Sequence, residues 1–392
     1  MTTKLEAWWA HKQGLDGELA GESAAAVLEK TGWARSVGGA APYLTLFARA
    51  GTTREAVDKA AAGVAIHELP SARGCTYVLP ARDFALGLRC GQGFADEADL
   101  KLALKLGVNE AEIDRLCAKV SEAVAKEPRD PEELRDACGS FVRNLGAEGK
   151  KRGLTTTLPV ALGRLQQRGE IRRVPVNGRL DQQRYKYTLW KPSPLAGNKW
   201  SKEEAYTELA RRYFAWIGPA TLAEFQWFSG LGVKVSREAV EPLWLVSLPS
   251  DPERLMLRED FDRFEEFRVP KEPRYAVASS LDGLCLLRRN VKDLLAPEDA
   301  GLKLVSSVAD LPDHAIFDRG RLIGLWAFDV ERGEVAWMTF AKKKDKALVE
   351  AVRKTEAFVR DQLGDARSFS LDSPKSRGSR IEALRKAGGQ AP

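Results

Sequence analysis

The chain of 392 residues is poor in the residue types on which many catalytic centres are built. Only three histidines occur, His11, His67 and His314, far apart and none in an H-E-x-x-H pattern. Neither a metal site nor a histidine-based triad is expected from them. Five cysteines, Cys75, Cys90, Cys117, Cys138 and Cys285, are odd in number and never spaced C-x-x-C. That argues against a disulfide framework or a zinc site and reads them as reduced, buried small hydrophobes. No run approaches the roughly 18 apolar residues of a membrane-spanning helix. Residues 1–17 carry acids and Trp8-Trp9 where a signal peptide needs an unbroken apolar core, so a cytoplasmic protein is expected. A phosphate-cradling loop is missing too: "GLDGELAGE" has glycines but no preceding strand. No cofactor, metal or membrane partner is expected, and the chain is read as a monomer.

What is present is ordinary globular material, 44% hydrophobic and 30% charged, enough for two to four domains or subdomains. The net charge is +6, unevenly spread. Residues 143–191 hold twelve Lys or Arg against three Asp or Glu, a local excess of nine.

"WARSVGGAAPYL" (33–44) places Ser36, Val37, Gly38 and Gly39 in a row between two helical segments. Paired glycines are costly inside a helix, so the chain either turns there or lets something approach its backbone. A helix is predicted over 21–32 and another over "APYLTLFARA". A third opens on a Thr52–Glu55 capping box and leads into the strand "RGCTYVLP". Helix, helix, helix, strand is the order of a winged-helix unit. After a long helical region, in which Asp130 caps a helix that starts on Pro131, Thr157 caps a helix over 158–168. "EIRRVPV" and "QRYKYTLW" then form a basic hairpin about Asn177-Gly178. The pattern recurs with capping boxes Ser201–Glu204 and Thr221–Glu224, followed by the helix and strand of "VSREAVEPLWLVSLP". From about Arg268, short apolar strands with glycine turns predict a β-rich module, then a helix and a basic tail.

The fold class read from this order is α+β, with three tandem winged-helix (helix-turn-helix) units and a small C-terminal β-barrel-like module. The divisions are 1–125, first winged-helix unit with a helical extension; 126–197, second unit with a basic wing; 198–266, third unit; 267–345, β-rich module; 346–372, helix and connector; 373–392, a basic, partly mobile tail.

The basic run coincides with a helix and wing. Lys150, Lys151 and Arg152 precede the helix, Arg164 and Arg168 lie on it or at its end, and Arg172, Arg173, Arg179, Arg184 and Lys186 line the hairpin. Cations along one face suit phosphate neutralisation; a merely solvated basic face is the other reading. Tyr206, Tyr213, Trp216, Phe225, Trp227 and Phe228 are expected in the core. Tyr185, Tyr187 and Trp190 share one hairpin face, either core or a stacking platform. Asp282, beside Gly283 in an apolar stretch, is either a turn cap or a placed carboxylate.

Together "GPATLAEFQWFSGL", "RGCTYVLP", "APYLTLFAR" and "LDGLCLLRR" resemble the winged-helix DNA-binding family that includes the AlkZ-like alkylpurine DNA glycosylases. The resemblance implies three winged helices and a small barrel around DNA, excision of N7-alkylated or crosslinked purines in DNA repair, a nucleoid location if bacterial, and DNA, possibly alkylated, as partner. Its catalytic signature, Gln-x-Gln or Gln-x-Asp just before a "YL" helix start, falls here on Ser36 and Gly38. A histidine of the family is replaced by Tyr77, while Arg73 and Gly74 are retained. An active protein would rely on Ser36, Arg35 or Asp282, with Arg35 and Arg73 joining the DNA contacts. Non-catalytic lesion sensing or transcriptional regulation on the same fold is the alternative.

Overall fold

The computed structural model describes residues 3–37, 39–182, 184–288, 290–302, 311–341, 345–369 and 372–390. The chain divides into two compact units, Met1–Ile66, Val78–Pro80 and Tyr206–Pro392 in the first, His67–Tyr77 and Ala81–Ala205 in the second. Helices and sheets are mixed, as the α+β reading requires.

Helix α1 (Lys4–Lys12) starts on a Thr3–Glu6 capping box. Helix α2 (Ala24–Thr31), the two-residue strand β1 (Ala34–Arg35), α3 (Ala41–Ala50) and α4 (Arg54–Ala62) follow, then strands β2 (Ile66–Pro70) and β3 (Thr76–Pro80), in sheet order β1-β3-β2. Helix α4 is capped by Thr53, one residue beyond the expected Thr52: its extended backbone lets the hydroxyl accept from Ala56 N.

The second unit is built from α5 (Phe84–Gly91), α6 (Ala95–Lys105), α7 (Glu110–Lys126), α8 (Pro131–Cys138), α9 (Gly146–Lys151), α10 (Leu158–Gln167) and the antiparallel hairpin β4 (Ile171–Pro175) and β5 (Tyr185–Leu189). Ile113, Leu116 and Val120 of α7 pack in one core with Leu158, Ala161 and Leu165 of α10 and with Ile171 and Tyr187 of the hairpin. Asp130 caps α8 as expected. Thr157 stands before α10 but caps nothing there: its hydroxyl accepts from Arg143 N instead. The hairpin connection is longer than a tight Asn177-Gly178 turn, because residues Leu180–Gln182 form a 3-10 turn within it.

Back in the first unit come α11 (Lys202–Ile217), β6 (Ala220–Thr221), α12 (Leu222–Ser229), α13 (Val233–Val240), β7 (Val246–Leu248) and β8 (Asp251–Met256), in sheet order β6-β8-β7. Both expected capping boxes form, Ser201 with Glu204 and Thr221 with Glu224. A device recurs through the chain. In three places a residue or two of strand stands just before a helix and pairs with the last strand of a later hairpin: β1 with β3, Arg129 with Tyr187 of β5, and β6 with β8.

The first unit continues with α14 (Arg258–Glu266), β9 (Tyr275–Ala278), α15 (Gly283–Leu286), β10 (His314–Asp318), β11 (Arg321–Asp329), β12 (Glu334–Thr339), α16 (Lys346–Phe358) and α17 (Pro374–Gly388). The module expected to be barrel-like is an open antiparallel sheet. Its strands run β12-β11-β10-β9, and among the described residues the edge strands β12 and β9 do not pair with each other. The segment expected as a partly mobile tail contains α17, which packs on β11 and β12 and buries Ile381 and Leu384. Burying each such side chain contributes roughly 1.5–3 kcal/mol. Arg377 and Arg385, which made the segment read as polar, are buried as well, on Asp365 and on Asp329 and Glu334.

Candidate functional site

The stretch 33–44 joins α2 to α3. Trp33 is buried with its ring 5.4 Å from that of Trp216 in a T-shaped contact, Ala34 and Arg35 enter β1, and Ser36 is 5% exposed. Gly39 takes φ +90°, a backbone conformation that disfavours any residue with a Cβ. Gly38 lies outside the described residues. Helix α3 then starts with Pro42 in its first turn, and the buried Tyr43 bonds the Asp58 carboxylate. A serine hydroxyl at this turn donates one hydrogen bond and accepts two, enough to hold a water or a phosphate oxygen.

Asp282 is not inside a strand. It caps the short α15, its Oδ1 accepting from Leu284 N at 2.9 Å. The same carboxylate is fully buried against the Arg49 guanidinium, Nη1 to Oδ2 at 2.6 Å and Nη2 to Oδ1 at 3.0 Å. Arg49 Nη2 also reaches Gln13 Oε1, and Gln13 Nε2 donates to the carbonyls of Thr31 and Trp216. Cap and placed carboxylate are thus one residue, and both of its oxygens are occupied.

A second buried charge group lies in the same unit. Arg288 contacts Glu224 at 3.2 Å and Asp293 at 2.9 Å, and its guanidinium sits 3.4 Å over the Trp9 ring. Arg254 shares Asp293. Burial lowers the Arg288 pKa, and Glu224 opposes that shift. Trp8 and Trp9 donate their indole N–H groups to the carbonyls of Gly218 and Pro219. Segments that look unrelated in sequence, "APYLTLFAR", "GPATLAEFQWFSGL" and "LDGLCLLRR", therefore meet through buried ionic and hydrogen-bonding contacts. Sequence reasoning missed Gln13, Arg49, Glu224, Arg254 and Arg288; the one local signal was an arginine set in the apolar face of α3.

Of the cations expected to meet DNA, Arg35 belongs to the first unit and the other eleven to the second. Arg73 is exposed in the β2–β3 connection, with φ +58°. Many of the rest face acids that the local count ignores. Arg164 bonds Asp114 at 2.8 Å and lies 3.5 Å from Glu110, and Arg168 is 3.8 Å from Asp114. Arg152 meets Glu148 at 2.9 Å, Lys186 meets Glu133 at 3.2 Å, Arg173 lies 3.9 Å from Glu68, and Arg179 pairs with Asp181. Lys150, Lys151, Arg172 and Arg184 make no ion pair among the described residues. The first two and Arg184 are exposed, while Arg172 is half-buried and its pKa is lowered by burial. Tyr187 and Trp190 are both 8% exposed, and Trp190 packs on His67 and Phe84, so their side of the hairpin is core.

Residues 34–369 match the family described as AlkZ-like, DNA glycosylase AlkZ-like. The chain belongs to the AlkZ-like DNA glycosylase family. Among solved structures, this AlkZ-like chain is similar to the Streptomyces sahachiroi DNA glycosylase AlkZ, with a TM-score of 0.68 and 19% identity, over 94% of this chain and 98% of that one. At that identity the likeness concerns the fold. Comparison with curated proteins found no match. Membership places the AlkZ-like chain among DNA-repair glycosylase-like proteins, and no helix among the described residues is long and apolar enough to cross a membrane.

Proposed function

We propose that the chain binds DNA through three tandem winged-helix units, 1–125, 126–197 and 198–266, and hydrolyses the glycosidic bond of N7-alkylated or crosslinked purines at the Ser36 turn. The observation that carries this reading is the threefold device of a short strand before a helix that pairs with the last strand of a later hairpin, in a chain whose family is that of DNA glycosylases. Winged-helix domains use that arrangement to set one helix in a groove and a hairpin on the backbone. Lys150, Lys151, Arg172 and Arg184 supply uncompensated charge for phosphates, and Arg35 and Arg73 join them. A cationic alkylpurine is already a good leaving group, so a water held by the Ser36 hydroxyl suffices as nucleophile.

A second reading, a non-catalytic lesion sensor or regulator, is favoured by one observation: Asp282, the nearest thing to a placed carboxylate, has both oxygens engaged. Duplex affinity measured across a salt series tests what the two readings share. Four phosphate contacts give log K against log[salt] a slope of about −3.6; no detectable binding to duplex overturns both readings. Release of free 7-methylguanine from methylated duplex then separates them.

A further inference from the structure

A cavity of about 670 Å³ lies between α17 and the turn joining β11 to β12, a size suited to a small molecule. The DNA reading makes no use of it. One part of its wall is apolar: Val330, which is 39% exposed, Pro374 and the buried Ile381. Another part carries Arg332, Arg377, Arg385 and Lys386. The gap is built into how α17 docks. A Cβ at Gly388 would fall 2.0 Å from Trp337 O, so that end of the helix lies directly on β12, whereas a Cβ at Gly378 meets nothing within 4 Å.

Arg377 and Arg385 are 1% and 5% exposed. Their terminal nitrogens are committed, Arg377 to Asp365 and the Ala366 carbonyl, Arg385 to Asp329 and Glu334. The Nε–H of each has no acceptor among the described residues. The acids of the wall, Asp329, Glu331 and Glu382, have no buried oxygen in that state. Unmet hydrogen-bonding capacity in the wall is therefore donor capacity, and an occupant that brings acceptors relieves it.

We propose that this cavity binds a small organic anion, a carboxylate or phosphate monoester carried on an apolar body. The anionic group sits toward the arginines and Lys386, and the body lies on Val330, Pro374 and Ile381 above Gly378. The proposal is independent of DNA binding and of glycosylase activity.

Calorimetric titration of the full chain tests it, with 1-naphthyl phosphate and 1-naphthoate as the two anion types and 1-naphthol and inorganic phosphate as controls. At least one naphthyl anion should bind one-to-one with a Kd below about 100 µM, and each control at least tenfold more weakly. Gly378→Leu, which fills the gap and favours the helix, should weaken the bound anion at least tenfold while the Tm holds or rises. Lys386→Glu, at an exposed position, should weaken it at least threefold and serves where Gly378→Leu does not fold. No binding by either anion, equal binding of 1-naphthol or of inorganic phosphate, or affinity unmoved by these substitutions overturns the proposal.

Discussion

Arg49 grips both carboxylate oxygens of Asp282, at 2.6 and 3.0 Å, with neither side chain more than 1% exposed. The pair joins α3, which follows the Ser36 turn, to the cap of α15. Its geometry says more about position than about net stability, because burying two charges costs nearly what their attraction returns. Removing one partner is different. Asp282→Ala leaves a buried, uncompensated guanidinium and should cost about 3–5 kcal/mol, read as a clear fall in Tm. Replacing both partners by apolar residues, Arg49→Met with Asp282→Leu, should recover most of it. Loss of excision by Asp282→Asn at unchanged Tm would instead give the carboxylate a chemical role.

Gly283 is tied to the same group by close approach. A Cβ there would fall 2.4 Å from Gln13 Oε1, the oxygen that accepts from Arg49 Nη2. Gly283→Ala should displace the Gln13 amide and cost roughly 1–3 kcal/mol, visible as a lower Tm. An unchanged Tm would mean that the Gln13 side chain moves aside freely.

Charge pairing on the second unit ranks the cations. Lys150→Ala, Lys151→Ala and Arg184→Ala should each weaken duplex binding and reduce the steepness of the salt dependence by about one unit. Arg164, already held by Asp114 and Glu110, should matter less to affinity on alanine substitution. Equal losses at all four positions would show that the surface pairs open freely on contact with DNA, as weak exposed pairs can.

Acid should destabilise the protein through two buried imidazoles. Burial, reinforced by Arg172 and Arg173, lowers the His67 pKa to about 3, and burial lowers that of His314 to about 4. The unfolded chain, with histidines near 6.5, binds more protons across that interval, so stability is full above about pH 6.5 and declines as pH falls toward 4 and 3. Asp313 works the other way: burial raises its pKa to about 6, so the folded state binds its proton more readily and that contribution fades as pH rises from about 4 to 6. The histidines should dominate, and Tm should drop between pH 6.5 and 4. His67→Phe, keeping the contacts with Trp190 and Phe84, should flatten part of that drop.

How much the sequence revealed follows the range of each interaction. The caps at Asp130, Ser201 and Thr221 were legible because both partners lie within three residues. The Arg49–Asp282 pair spans 233 residues, and nothing local announces it. The basic run was visible, but its partners Glu110, Asp114 and Glu133 enter from α7 and α8, so a windowed charge count overstated the free charge. Strand patterns located β9 to β12 without saying whether the sheet closes, since closure depends on which edges pair. The tail read as polar because the residues it buries include arginines whose acids lie elsewhere in the chain.

The Ser36 turn is where catalysis and mere binding part. Ser36 is almost fully buried, so if it serves the reaction, it does so by holding a water and not as an exposed nucleophile. Ser36→Ala removes the hydroxyl with little change in volume. In single-turnover release of 7-methylguanine, the proposed mechanism expects a rate loss of about 10²-fold or more, on the scale of one positioned polar group, with duplex affinity and Tm close to wild type. Ser36→Thr, which restores a hydroxyl, should recover part of the rate. Release by the wild-type protein that Ser36→Ala leaves unchanged would remove this residue from the chemistry, and no release by the wild type would leave the chain as a DNA-binding sensor.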